Sequence, residues 1–371
     1  MSRVPIPVIP NRTPDQESER RLLEIRKEAE TRGMVSGKGI LPEGAPFPRA
    51  TQQTGYYGIP MLKEPQWTWE VPLYFFVGGA AGAASIIATV ARLREADPEL
   101  IRSARWVAAA GGAISPVLLI SDLGRPARFI NMLRVFKLQS AMNMGAWTLA
   151  AFSTFAGAAA FANFARDHFG DSLPVRLLEN ASGATAAGMG AILSTYTGVL
   201  IGATSIPVWN ENVSTLPHHF AASGVNSAVS ILELMGHNNK SLNNLGIAAS
   251  LFEVYEGIAL ETRRTRANEP VHKGRSGAVV RAGGTLSGPV PLVLRLLYAI
   301  TGNSAFRRAA SWSSLAGSLL TRYGWIDAGH ASAKDHRIPL MLGEAAPEVR
   351  KSSHELVVDR KDARKDERIA G

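Results

Sequence analysis

Five stretches of this sequence have no Asp, Glu, Lys or Arg: Pro72 to Ala91, Trp106 to Ser121, Leu138 to Ala165, Asn180 to Asn210 and Asn212 to Leu232. A helix needs about 20 mostly apolar residues to cross a hydrocarbon core about 30 Å thick, and four of the five stretches are that long. A soluble all-α core would have to bury such helices on every side, so membrane spans are the simpler reading. Three further candidates, Ser241 to Glu261, Ser276 to Ile300 and Ala305 to Thr321, are shortened or interrupted by charge. The expected fold class is an all-α integral membrane protein, an eight-transmembrane-helix bundle made of two four-helix halves over residues 69–325. A polar N-terminal tail, 1–68, and a charged C-terminal tail, 326–371, flank it. An even number of spans puts both termini on one side, here called the N-side.

The spans are rich in small residues, as in Gly78-Gly79-Ala80-Ala81-Gly82 and Ala108-Ala109-Ala110-Gly111-Gly112. Such stretches let helix backbones approach closely in lipid, so a tight bundle is expected. Trp67, Trp69, Trp106, Trp209, Tyr323 and Trp325 fall at span ends, the place of an interfacial aromatic belt. The first apolar run begins only at Val71, so no secretory leader is expected. Two readings stay open for the tails: solvated disorder, or arms that wrap partner subunits. Counting Lys and Arg near span ends gives 13 on the N-side and 9 on the far side, which places the N-side in the cytoplasm of a cell (inner) membrane. The net charge of +9 is scattered along the sequence, and nothing in it argues for nucleic acid.

The protein has no Cys, which excludes iron–sulfur ligation, thiolate zinc, disulfides and a thiol nucleophile. A bis-histidine haem is disfavoured as well, since His218 and His219 are terminal in their span and the other His residues fall in loops, the tails or past the last span. No metal site is expected.

Alternating span direction gives each polar residue a depth. Glu70 and Tyr74 open the first span, Asp122 closes the second, and His218 and His219 open the fifth. Tyr196, seven residues before Ala203, lies roughly 10 Å below the N-side surface at about 1.5 Å rise per residue. These proton-exchanging groups gather toward one face from four spans. Glu70 and Tyr74 also suit a helix start and an interfacial anchor, whereas a phenol as deep as Tyr196 needs a hydrogen-bond partner or a ligand. A second, acidic set comprises Glu233 in the fifth span and Glu253 and Glu256 in the sixth, the latter two on one helix face. A carboxylate near the bilayer centre costs about 2.5–3.5 kcal/mol, so Glu253 and Glu256 are expected to face inward. A proton relay through Glu233, Glu253 and Glu256 and static ion pairs with Arg281 or Arg295 are both open.

Ser121-Asp122-Leu123-Gly124-Arg125-Pro126-Ala127-Arg128-Phe129, with Met132-Leu133-Arg134, resembles the signature loop of the polysulfide reductase membrane-subunit (NrfD-like) family. Ser314-Leu315-Ala316-Gly317-Ser318 with Arg322-Tyr323-Gly324-Trp325 resembles that family's last span, and Trp69 through Gly82 its first. The resemblance runs over roughly residues 65–335. It implies a haem-free, eight-helix quinone-reactive anchor, exchanging electrons with menaquinone or ubiquinone. Its partners would be an iron–sulfur electron-transfer subunit and, through it, a molybdenum-type or other redox catalytic subunit. The family's pocket lies near the partner-facing ends of the first four helices. The matching positions here are the start of the first span, Asp122 and Tyr196, with Glu70 and Leu73-Tyr74 where some members place Asn and His. Quinol oxidation releases two electrons and two protons, and a protein without Cys must pass the electrons to a partner. A secondary transporter is the competing class; it would be expected to show an internal repeat, and none is visible between residues 70–200 and 215–325. A passive anchor is the third.

Overall fold

The computed structural model describes residues 62–123 and 129–335, together with Glu24 and Lys27 as isolated helical positions. The protein divides into two units, Met1–Phe47 and Pro48–Gly371, and the helical bundle belongs to the second. The signature-loop residues Gly124, Arg125, Pro126 and Arg128 lie outside the described residues, as does most of both tails.

All regular structure among the described residues is helical. The long helices are α1 (Glu70–Leu93), α2 (Pro98–Asp122), α4 (Ala141–Phe169), α5 (Leu173–Gly202), α7 (Leu216–Leu234), α8 (Lys240–Thr262), α10 (Gly274–Ser287), α11 (Pro289–Thr301) and α12 (Ser304–Lys334). Short helices α3 (Phe129–Met132), α6 (Pro207–Glu211) and α9 (Glu269–His272) lie in the connections. Local chemistry sets the boundaries. The side chains of Asp97, Asn239 and Asn303 accept from backbone N–H groups at the starts of α2, α8 and α12. Gly302, at φ 69°, ends α11 in the left-handed conformation that glycine adopts without strain.

The expected seventh span is broken. Pro289 has no N–H to continue the helix from α10, and Gly288 turns the backbone at φ −101°, ψ −90° into α11. A side chain at Gly288 would press on Val254 of α8, so the break also brings these helices together.

By length and composition, five segments can cross a membrane: α1, α2, α4, α5 and the pair α10–α11 taken as one. Helices α7, α8 and α12 do not qualify, and many of their polar residues point inward. Ser223, Asn226, Ser227, Ser230 and Glu233 of α7 are buried, as are Ser311, Ser314, Ser318 and Arg322 of α12. Large apolar side chains face outward instead, such as Phe161 and Trp312. This inside-out distribution suits a lipid solvent, in which polar groups must find their partners within the protein.

Helices α1, α2, α4 and α5 pack as one group; α7, α8, α10, α11 and α12 form the other, with α1 and α5 meeting α7 and α1 meeting α12 between them. Glycines set the closest approaches. A Cβ on Gly82 of α1 would strike the backbone of Gly190 in α5, and one on Gly224 of α7 would sit 2.8 Å from the carbonyl oxygen of Gly79. Beside the first crossing, Ser85 and Thr89 donate to the carbonyls of Ala186 and Gly183, at 3.2 and 3.0 Å.

The aromatic belt is realised only in part. Trp69 and Trp106 are exposed, but Trp209 and Trp325 are buried. Trp209 stacks on Trp67 with ring centres 5.1 Å apart and donates from Nε1 to the Trp325 carbonyl at 2.7 Å. A span-end position does not distinguish a ring facing lipid from one turned into the bundle. The last helix also runs on to Lys334, past the expected span end at Trp325.

Gly82→Val places a methyl group against Gly190 backbone, which cannot rotate away. The detergent-extracted variant is expected to lose its monodisperse folded peak on size exclusion, whereas Gly157→Val, with nothing within 4 Å of its Cβ, should elute like the parent protein.

Candidate functional site

The expected site residues fall into three places. At the start of α1 and the end of α2, Thr68 bridges Glu70 and Asp122. Its hydroxyl contacts Glu70 Oε2 and lies 2.9 Å from Asp122 Oδ1, while its N–H donates to the same Asp122 oxygen at 3.2 Å. A hydroxyl has one proton to donate, so the N–H serves Asp122 when the hydroxyl turns to Glu70. Tyr323 of α12 donates to the Trp69 carbonyl at 3.0 Å and ties the last helix to this corner.

Tyr74 is buried one turn into α1, with its ring against Gly78. The Tyr196 hydroxyl donates to the Ala141 carbonyl at the start of α4, and its ring occupies the space a Cβ on Gly145 would need. The partner that a deep phenol requires is therefore a backbone carbonyl of the neighbouring helix. Gly145 is the reason a ring fits there at all.

His219 does not join this corner. It lines a cavity of about 470 Å³ in the second group of helices, together with Glu253, Glu256, Gly257, Val280, Gly284 and Trp325 among others. His219 Nδ1 and Glu253 Oε2 are buried and find no hydrogen-bond partner among the described residues. Glu253 Oε1 accepts from Asn226 Nδ2 at 3.4 Å. Neither Arg281 nor Arg295 pairs with Glu253 among the described residues; Arg281 binds Glu261 at 2.6 Å instead.

Glu233 is the acid that Arg295 takes. Arg295 Nη1 donates to both carboxylate oxygens, at 2.7 and 2.9 Å, and Ser311 donates to Oε2 at 2.7 Å. Arg307 closes the same end of α7 by donating to the carbonyls of Glu233 and His237. Glu233 is thus ion-paired with Arg295, and Glu253 and Glu256 stand apart from that pair at the cavity.

Two buried charge clusters were not legible as such in the sequence. Glu179, just outside the fourth uncharged run, is fully buried and contacts Arg105, while Arg166 reaches its two oxygens at 3.0 and 2.7 Å. Arg322 is fully buried and is held by hydroxyl and carbonyl oxygens. Its Nη1 donates to Ser318 Oγ at 2.7 Å and Ser223 Oγ at 2.8 Å, Nη2 to the Phe220 carbonyl at 3.3 Å, and its guanidinium lies 5.1 Å from the Phe220 ring centre. Arg105, Arg307 and Arg322 are among the basic residues counted near span ends from the sequence, and all three are buried within the bundle. The spacing of Ser311, Ser314, Ser318 and Arg322 along one helix face was the available signal. Among the described residues, no three His, Asp or Glu converge in a manner that could hold a metal ion.

Apolar helices outside and a polar, ion-paired interior define the class: a multi-pass helical membrane protein. The chain belongs to the NrfD family, whose profile, described as "Polysulphide reductase, NrfD", matches residues 60–331 and so takes in every long helix but the last few residues of α12. It is also similar to the C subunit of polysulfide reductase from Wolinella succinogenes, 28% identical over 222 residues, which are 51% of this protein and 67% of that one.

Removing one partner from a buried ion pair leaves an uncompensated charge, at a cost of about 3–5 kcal/mol. Glu233→Leu is expected to lower the thermal unfolding midpoint of the detergent-solubilised protein markedly. The double change Glu233→Leu with Arg295→Leu should recover most of that loss, as the unpaired guanidinium is then gone.

Proposed function

We propose that this protein is the membrane subunit of a multi-subunit oxidoreductase that exchanges electrons between the quinone pool and an iron–sulfur partner. The observation that carries the reading is membership of the NrfD family together with likeness to a protein named as one subunit of polysulfide reductase. A protein without Cys cannot hold iron–sulfur clusters of the usual kind, so electrons that reach it must leave through another subunit. The partner, and a molybdenum-type or other redox catalytic subunit beyond it, complete the proposed assembly.

On this reading the bundle crosses the membrane eight times, through α1, α2, α4, α5, α7, α8, the broken pair α10–α11, and α12. The buried polar faces of α7, α8 and α12 support it, because in lipid such faces are tolerable only inside a bundle. Both described ends of the bundle then lie on one side, which the basic bias assigns to the cytoplasm.

The proposed quinone corner is Glu70, Asp122, Tyr74 and Tyr196. Quinone chemistry moves two electrons and two protons, and what this protein supplies is hydrogen bonding and proton exchange. Glu70 and Asp122, bridged by Thr68 at the helix ends, have access to protons, and Tyr196, whose proton goes to the Ala141 carbonyl of α4, offers its phenol oxygen as an acceptor for a quinol hydroxyl.

Tyr196→Phe removes the hydroxyl and keeps the ring that fills the space beside Gly145. In an assembled complex, quinol-linked turnover is expected to fall on the order of fivefold, the effect of one hydrogen bond worth about 1 kcal/mol. Unchanged turnover would remove Tyr196 from the site. Asp122→Asn should slow turnover in the same assay while the complex stays whole; loss of the partner subunit on size exclusion would make Asp122 a structural residue. The functional reading as a whole is tested by isolating the protein gently from its own membranes. Iron–sulfur absorbance should co-purify, and solute uptake by vesicles holding this protein alone would favour a transporter.

A further inference from the structure

The cavity around His219 and Glu253 takes no part in the proposed quinone corner. It runs from Asn212, in the connection before α7, and Thr262, at the end of α8, to Glu253 inside the bundle. From Thr262 to Glu253 is nine residues of helix, about 14 Å. Its volume of about 470 Å³ lies within the range of about 300–1,000 Å³ typical of small-molecule sites.

Three features describe what it would hold. The inner end is lined by Glu253 and His219, each of which has one buried polar atom without a partner among the described residues. Buried polar atoms are costly without a hydrogen bond, and the two residues that carry them line the same cavity. Much of the wall between is apolar or small, with Val254, Gly257, Ala259, Val280 and Gly284, while Glu256, Glu261, Arg263 and Arg281 also line it. Finally, α8 and α10 pack only sparsely against each other. Ile258 at that seam is 62% exposed, and Tyr255 and Leu251 beside it on α8 also face outward. The seam therefore opens onto the apolar flank of the bundle, the side a lipid-soluble molecule would approach from.

We propose that this cavity is a second quinone-class binding site, with the ring between the side chains of His219 and Glu253 and the isoprenoid tail leaving between α8 and α10. A quinol hydroxyl can donate to the carboxylate, and the imidazole can donate to or accept from the oxygen across the ring. A phospholipid would place a charged phosphate at this end, against Glu253, and its headgroup belongs at the interface rather than at mid-helix. The site is separate from the corner of Glu70, Asp122, Tyr74 and Tyr196, and its proposal rests on the quinone reading of the protein.

Two glycines make a clean test possible. Gly257 and Gly284 both line the cavity, and a Cβ at either meets nothing within 4 Å. Gly257→Leu and Gly284→Leu should therefore leave the fold intact and fill the cavity, with Gly157→Leu on α4 as the control. The full-length protein in lipid nanodiscs would be irradiated with a photoreactive azido-quinone and its peptides mapped. In the parent protein, label is expected on peptides of α8 and α10 as well as on those of α1 and α5. Either cavity-filling variant should cut the α8 and α10 label at least tenfold, leaving the α1 and α5 label and the thermal midpoint as in the control.

Label confined to α1 and α5 in the parent protein would overturn the second site and leave the quinone reading standing. Label in neither place would overturn both. Undiminished α8 and α10 label in the two filled variants would show that the probe lies outside the cavity, against the proposal. Native mass spectrometry adds an independent readout: a phospholipid that stays bound in a large excess of quinone would identify a lipid site instead.

Discussion

In a hydrocarbon solvent a polar group has only the protein to bond to, and the seam between α7 and α12 shows how this protein meets that demand. Along one face of α7 lie Ser223, Asn226, Ser227, Ser230 and Glu233; facing them on α12 are Ser311, Ser314, Ser318 and Arg322. Ser318 bonds the hydroxyls of Ser223 and Ser227, Ser314 donates to Asn226 Oδ1, and Ser311 donates to Glu233. Charged groups sit toward the two ends of the seam, Glu233 with Arg295 at one and Arg322 at the other. A register slip between the helices would leave several of these atoms unsatisfied at once. Polar pairing thereby does here what hydrophobic packing does in water, and it also fixes which faces meet.

The remaining close contacts follow from that register. With α12 set against α7, Arg322 comes beside Gly79 of α1, and Gly79 meets Gly224 backbone to backbone. The two groups of helices thus join where side chains are absent. Glu179 performs a comparable role in the first group, where Arg105 of α2 and Arg166 of α4 converge on one carboxylate of α5. Each group is held by its own buried acid, at the cost of burying arginines that a membrane protein otherwise leaves near the interface.

Carboxylates on these helices consequently differ in chemical use. Glu233 is engaged by Arg295 and Ser311, and Glu179 by Arg105 and Arg166. Glu253 has one oxygen without a partner among the described residues and borders a cavity, while Glu70 and Asp122 share Thr68 at the ends of α1 and α2. Under the proposed function, proton exchange and ligand recognition fall to the second kind. Partner supply, rather than depth in the membrane, separates the two kinds.

Much of this was legible in the sequence, for reasons that are local. Uncharged runs of about 20 residues announce helices in lipid, Asn and Asp before them announce caps, and Pro289 after Gly288 carries the break in the seventh span, although the run as a whole read as continuous. Inward-facing Glu253 and Glu256 followed from the cost of exposing a carboxylate to hydrocarbon. The pairing of those groups was another matter. Whether Arg295 would meet Glu233 or Glu253, whether Trp209 would face lipid or Trp67, and whether His219 would join Tyr196 or Glu253 all depend on the rotation of one helix against another. Arg322 shows the limit most plainly, since a lone arginine near a span end reads as a loop charge until Ser223 and Ser318 are seen around it. Length, apolarity and capping are properties of one segment, so the sequence by itself determined the helices and their inward polar faces. Partners and cavities arise between segments far apart in the sequence, and only the tertiary structure decided those.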